Sequence, residues 1–178
     1  MSTRTGGGQP RWTVEKNATA PSPPNVLKQS GVADFPLCIK DATNLKDGFV
    51  EVKFNAVSGK RDQAAGVVWR FQDNGNYYIC RANAIEGNVV LYKTELGVRK
   101  PLDIVGRRSG YGVKAPVARQ EWQTLRVDFH GDIFTVKLNG KELFKVKDST
   151  FTGAGKVGLW TKADSVTLFD DFKHGAAR

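Results

Sequence analysis

The chain has 178 residues, 40% of them apolar and 25% charged, and a net charge of +9. That size and balance suit one soluble globular domain with a substantial core, and no stretch approaches the roughly 18 apolar residues of a membrane span. The positive charge invites a polyanion reading, but Lys and Arg are spread along the chain rather than gathered in a tail block, which argues against nucleic acid as the partner.

Met1 to Pro10 is rich in Gly, Ser and Thr and reads as a disordered tail with no apolar leader segment. A single domain is expected over residues 11–174, followed by a short tail over 175–178. "APSPPNV", Ala20 to Val26, is an extended proline-rich connector. "FPLCIK" (Phe35–Lys40) is the first clear strand. "FVEVKF" (Phe49–Phe54) alternates, with Val50, Val52 and Phe54 on one face and Glu51 and Lys53 on the other. "GVVWRF", "NYYICRA" and "NVVLYK" follow, joined by turns at Asn74-Gly75 and Glu86-Gly87. Val98 to Lys114 is the densest basic run, with Arg99, Lys100, Arg107, Arg108 and Lys114 against Asp103. It is either a solvated loop or a rim that attracts an anionic ligand.

"TLRVDFH" (Thr124–His130) places Leu125, Val127 and Phe129 on one face. "IFTVKL", a turn at Asn139-Gly140, "KELFKVK", "KVGLWT" and "SVTLFDDF" complete the chain. No dozen-residue segment carries a sustained helical period. Short alternating strands with such turns predict an all-β fold, a two-sheet antiparallel jelly-roll sandwich of roughly a dozen strands. One sheet of such a fold is usually curved, and its concave face is a natural groove.

Two-residue periodicity sorts the central strands. Val67, Trp69 and Phe71 face the core, which turns Arg70 and Val68 away. Tyr78, Cys80 and Ala82 oppose Tyr77, Ile79, Arg81 and Asn83. Val89 and Leu91 go inward and leave Asn88, Val90 and Tyr92 outside. If these strands are adjacent, one surface carries Arg70, Tyr77, Arg81, Asn83, Asn88 and Tyr92. Tyrosine offers a flat apolar face with a hydroxyl, arginine a fork of donors, and asparagine both a donor and an acceptor. That set suits a sugar, although stacking on tyrosine also serves single-stranded nucleic acid and an ordinary solvated sheet face carries similar residues.

"EWQTLRVDFHGDIFTVKLNGKELFKVKD", then "GAGKVGLWTKADSVTLFDDF", resembles the concanavalin A-like, laminin G-like jelly rolls. More narrowly, with "SGKRDQAAGVVWRFQDNGNYYICRAN", it resembles bacterial domains grouped with 3-keto-disaccharide hydrolases, the family 16 glycoside hydrolase-like group. The resemblance covers about Trp12 to Phe172. It implies a sandwich, a carbohydrate or glycoconjugate as ligand, Arg70 on the ligand-facing sheet and often a periplasmic or secreted location. With no leader segment in this chain, a cytoplasmic one stays open. Trp160, of parity opposite to Val157 and Leu159, is a candidate stacking platform or a core residue.

Glycosidases need two carboxyl groups, about 5–5.5 Å apart for retention and further for inversion. The Glu-x-Asp-x-x-Glu array of true family 16 enzymes is missing, and the inferred groove strands carry Arg, Tyr and Asn. The reading is therefore a carbohydrate-binding jelly roll. The alternatives are a glycoside or 3-keto-sugar hydrolase, or a module binding a protein or polyanion through Val98 to Lys114. Jelly rolls of this superfamily often hold calcium near the last strand, which makes Asp170 and Asp171 candidates for a structural Ca2+; as strand neighbours their side chains are expected on opposite faces. Cys38 and Cys80 belong to no C-x-x-C pair and read as buried thiols, with a disulfide left open. His130 and His174 read as surface residues.

Overall fold

The computed structural model describes residues 2–3, 7–107 and 111–176, and among them every regular element is a strand. In chain order these are β1 (Ser2–Thr3), β2 (Gly8–Gln9), β3 (Trp12–Lys16), β4 (Asn25–Gln29), β5 (Val32–Ala33) and β6 (Leu37–Leu45). Next come β7 (Gly48–Ser58), β8 (Ala64–Asp73), β9 (Asn76–Asn83), β10 (Asn88–Glu95), β11 (Val98–Pro101) and β12 (Val113–Lys114). The last are β13 (Trp122–His130), β14 (Ile133–Leu138), β15 (Lys141–Lys147), β16 (Gly155–Trp160) and β17 (Val166–Ala176).

Two antiparallel sheets form a sandwich, the concanavalin A-like jelly roll. The first runs β1-β6-β16-β8-β9-β10-β11, with β12 also on β10; the second runs β15-β14-β13-β7-β17-β4-β3. The strands exceed the expected dozen because short pairings flank the main ones. Two of these involve the segment expected to be disordered: β2 pairs with β5, and β1 with β6. Residues 1, 4–6 and 177–178 of the two expected tails lie outside the described residues, while β17 continues to Ala176.

The core between the sheets follows the alternation read from the sequence. Val50, Val52 and Phe54 of β7, with Leu125, Val127 and Phe129 of β13, meet Val67, Trp69, Tyr78, Cys80 and Leu91 of the first sheet, all essentially without solvent contact. Trp69 stacks on Tyr78 at 5.5 Å and on Phe129 at 6.0 Å. Burial of each such side chain stabilises the fold by about 1.5–3 kcal/mol. Cys38 and Cys80 lie in one cross-strand row through Leu159 and Val67, three strand spacings apart. That is about 14 Å, beyond disulfide reach, and both thiols are free.

The alternation fails at one place. β8 carries a bulge between Trp69 and Asp73, and Arg70 sits there at φ 47°. An extra residue in a strand reverses the parity of everything beyond it. Phe71, expected in the core, therefore faces outward and meets Tyr77 at 5.7 Å. Arg70, expected in the groove, turns to the core side beside Phe129 and Phe134. Its guanidinium donates to the carbonyls of Lys46 (2.9 Å), Phe151 (2.8 Å) and Gly131 (2.6 Å) and to the Asp47 carboxylate (3.3 Å). Arg70 is a structural clamp for three loops. Gly155 of β16 lets the bulge approach, since a Cβ there would lie 2.5 Å from the Arg70 carbonyl carbon.

Candidate functional site

The outer face of the first sheet carries a second buried apolar cluster, including Val68, Phe71, Tyr77, Ile79, Tyr92 and Trp160. The sheet is curled toward this face. Arg99 on β11 and Trp160 on β16 are four strand spacings apart, about 19 Å in a flat sheet and more than their side chains together span. Yet the Arg99 guanidinium lies 5.6 Å from the Trp160 ring, as well as 4.5 Å from Tyr92 and 4.7 Å from Phe35. Arg99 thus bridges the two sides of a trough whose floor is β8, β9 and β10. Phe35 stacks on Trp160 at 5.8 Å and covers it.

A polar network occupies one end of the trough. The wholly buried Arg81 of β9 donates to the Asn88 Oδ1, to Glu86 (2.8 Å), to the Tyr92 hydroxyl (3.2 Å) and to the Tyr111 hydroxyl (3.0 Å). Tyr92 and Tyr111 also share a hydrogen bond between their hydroxyls. Asn83 donates one amide group to Asp62 (2.8 Å) and to Glu86 (3.2 Å), which keeps the two carboxylates no more than about 6 Å apart. The Asn83 side-chain oxygen accepts the backbone N–H of Ile85 at 2.9 Å, which shapes the turn that presents Glu86. Lys162 pairs with Asp62 at 3.3 Å.

The network leaves an accessible mouth. Tyr111 is 52% exposed, Glu86 is exposed and Asn88 is half-buried. Below it, burial works against the Arg81 charge, but Tyr92, Glu86 and Tyr111 outweigh this and hold it protonated. Partial burial opposes ionisation of Glu86; Arg81 and the Asn88 amide overcome it and hold the carboxyl below the ordinary glutamate range. Burial pushes the Tyr92 phenol up, so it stays neutral. Among the described residues, four buried polar atoms on this face have no partner: Arg81 Nε, Thr94 Oγ1, Arg99 Nη1 and Trp160 Nε1.

Of the residues expected at the site, Arg81, Asn83, Asn88 and Tyr92 meet in this network. Tyr77 and Trp160 share the face but are covered by neighbours, and Arg70 is at the opposite end of β8 on the other side. Asp62, Glu86 and Tyr111 are additions, and Arg99 joins them from the basic run read as a solvated loop or an anion-attracting rim. Asp62 and Glu86 arrive from loops, so the trough does carry carboxylates, contrary to the expectation from its strands. Arg99 had a readable signal, because it follows the tight turn at Leu96-Gly97 and pairs with Thr94, whose parity matches Tyr92.

Asp170 and Asp171 do not point to opposite faces as expected. β17 bulges there, with Asp171 at φ 48°, and both carboxylates meet Ser22: Asp170 accepts its N–H at 2.7 Å and Asp171 its hydroxyl at 2.5 Å. The Lys53 ammonium sits 2.7 Å from Asp171. Another hollow, of about 690 Å³, lies on the second sheet beside Phe49, Arg126 and Asp128. Its charges are mutually satisfied, with Arg126 on Asp128 (2.6 Å) and Glu51 (3.3 Å) and Lys137 on Asp128 (3.0 Å). The trough instead gathers four unpartnered buried polar atoms on one face, whereas those of Trp12 and Trp69 lie apart from it.

No protein-family model and no curated protein sequence matches the chain. Similar solved structures share the fold. The carbohydrate-binding module CBM66 from Bacillus subtilis superposes with a TM-score of 0.74 at 19% identity, over 97% of each chain. CG-16, a homodimeric agglutinin from chicken liver, gives 0.57 at 14% identity, over 78% of this chain and 99% of its own. The GH43 protein BlXynB from Bacillus licheniformis gives 0.57 at 16% identity, over 93% of this chain and 37% of its own.

Proposed function

We propose that the chain is a carbohydrate-binding jelly roll whose ligand enters the trough at the Arg81–Glu86 end. The observation that carries this reading is the network itself: a buried arginine fork, two carboxylates and an asparagine pair, opened to solvent at Tyr111. Vicinal hydroxyls need neighbouring donors and acceptors at fixed positions, which Asn88, Glu86 and the Tyr111 hydroxyl supply at the mouth, held from below by Arg81 and Asn83. Tyr111 adds a ring for stacking against a sugar face. The likeness to a carbohydrate-binding module and an agglutinin supports the same reading through the shared fold.

Hydrolysis is the weaker alternative. The spacing of Asp62 and Glu86 suits a carboxylate pair, but a glycosidase needs one member kept protonated, with its pKa raised. Glu86, the more exposed member, is shifted the other way, and Asp62 is engaged by Asn83 and Lys162. Glu86 acts as an acceptor for ligand hydroxyls, and Asp62 holds Asn83 in place.

Titration calorimetry against a panel of neutral and acidic oligosaccharides tests the reading. A specific glycan binds, and Tyr111→Ala and Asn88→Ala, both at the mouth, each weaken it by about tenfold. Absence of binding to every glycan class overturns it.

A further inference from the structure

We infer that the ligand of this trough carries an anionic group and that Arg99 receives it. The inference rests on the carbohydrate reading and narrows it to an acidic saccharide. Charges in the trough pair off and leave one over: Arg81 faces Glu86 at 2.8 Å and Lys162 faces Asp62 at 3.3 Å. Arg99 has no carboxylate within ion-pair range among the described residues. It is held instead by the rings of Phe35, Tyr92 and Trp160.

Stacking fixes the plane of a guanidinium but satisfies none of its N–H groups. Among the described residues, Arg99 Nη1 is buried without an acceptor, and Thr94 Oγ1 and Trp160 Nε1, on the same face, also lack partners. Buried donors left open in this way are costly unless an acceptor arrives, and a planar anion is the acceptor that matches a guanidinium edge. Arg99 is itself only half-buried, so its fork is not sealed from solvent. The surroundings favour the same sign: Lys114, exposed and paired with Asn88, adds a positive charge at the mouth of the trough. A neutral sugar uses the Arg81 end and leaves the Arg99 end unanswered. A saccharide with a uronate carboxylate or a sulfate ester uses both.

The test titrates the full chain with oligogalacturonate, with the same oligosaccharide after reduction of its carboxyl groups, and with dextran sulfate beside plain dextran. The expected result is binding to a charged member that falls about 10- to 100-fold in its neutral counterpart. The same loss follows Arg99→Gln, and Arg99→Lys recovers part of it. The uronate and sulfate arms identify which anion is received. Equal binding of charged and neutral members, unaffected by Arg99→Gln, overturns the inference and leaves the carbohydrate reading standing. So does binding to charged members that survives Arg99→Gln and vanishes at 0.5 M salt, where a Debye length of about 4 Å removes diffuse attraction. No binding to any saccharide overturns both. If Arg99→Gln fails to fold, Arg99→Lys takes its place: weakened binding of the charged member alone supports the inference, and binding unchanged from the original chain overturns it.

Discussion

The Arg70 guanidinium donates a 2.6 Å hydrogen bond to the Gly131 carbonyl and so ties the middle of the first sheet to the β13–β14 turn. Three further acceptors complete its shell, and its side chain is 1% exposed. Replacing Arg70 with methionine removes the shared donor of three loop carbonyls and leaves Asp47 without its cation. The expected loss is about 3–5 kcal/mol of unfolding free energy, read by urea denaturation, with glycan affinity unchanged in the folded fraction. A loss below about 1 kcal/mol, or a selective fall in affinity, returns Arg70 to the binding site.

Gly155 tests the bulge from the other side. Gly155→Ala drives a methyl into the Arg70 backbone, where the nearest atoms lie 2.5–2.8 Å away. Destabilisation of about 1–3 kcal/mol is expected. Stability equal to that of the original chain means that β16 does not press on the bulge.

Glu86 gives the chain a pH dependence of known sign. Its folded pKa lies below the unfolded value, so its contribution is fully present above the ordinary glutamate pKa of about 4.3. That contribution is lost as the pH falls through the lower folded value. The stability advantage of the original chain over Glu86→Gln is therefore present at neutral pH and shrinks on acidification below that range. Denaturation curves at a series of pH values measure it, and an advantage that grows toward low pH contradicts the assignment.

The thiols differ in reach. Cys80 is fully buried and burial pushes its thiol up, whereas Cys38 is only half-buried. A thiol reagent on the native protein labels Cys38 first and Cys80 only on unfolding. Mild oxidation leaves the monomer without an internal crosslink.

The fold was legible because strand alternation is a local property: Val50, Val52 and Phe54 pack where their spacing puts them. Parity also placed Arg81, Asn83, Asn88 and Tyr92 together correctly, since no bulge interrupts β9 or the start of β10. It misplaced Arg70 and Phe71 because a bulge is set by tertiary contacts, here the close approach of Gly155, and leaves no mark on the alternation. Asp62 and Glu86 escaped for another reason. They sit on loops, where side-chain direction has no period, and Asn83 gathers them only after the strands have paired.

The clamp around Arg70 divides the molecule's loops into two kinds. At its end of β8, the turns bearing Lys46, Gly131 and Phe151 converge on a single cation, so a change of length in one disturbs the others. At the far end, the loops carrying Asp62, Glu86 and Tyr111 are joined through side chains that can be exchanged one at a time. Retargeting this scaffold to another ligand belongs at that second rim, with the first kept intact as its foundation.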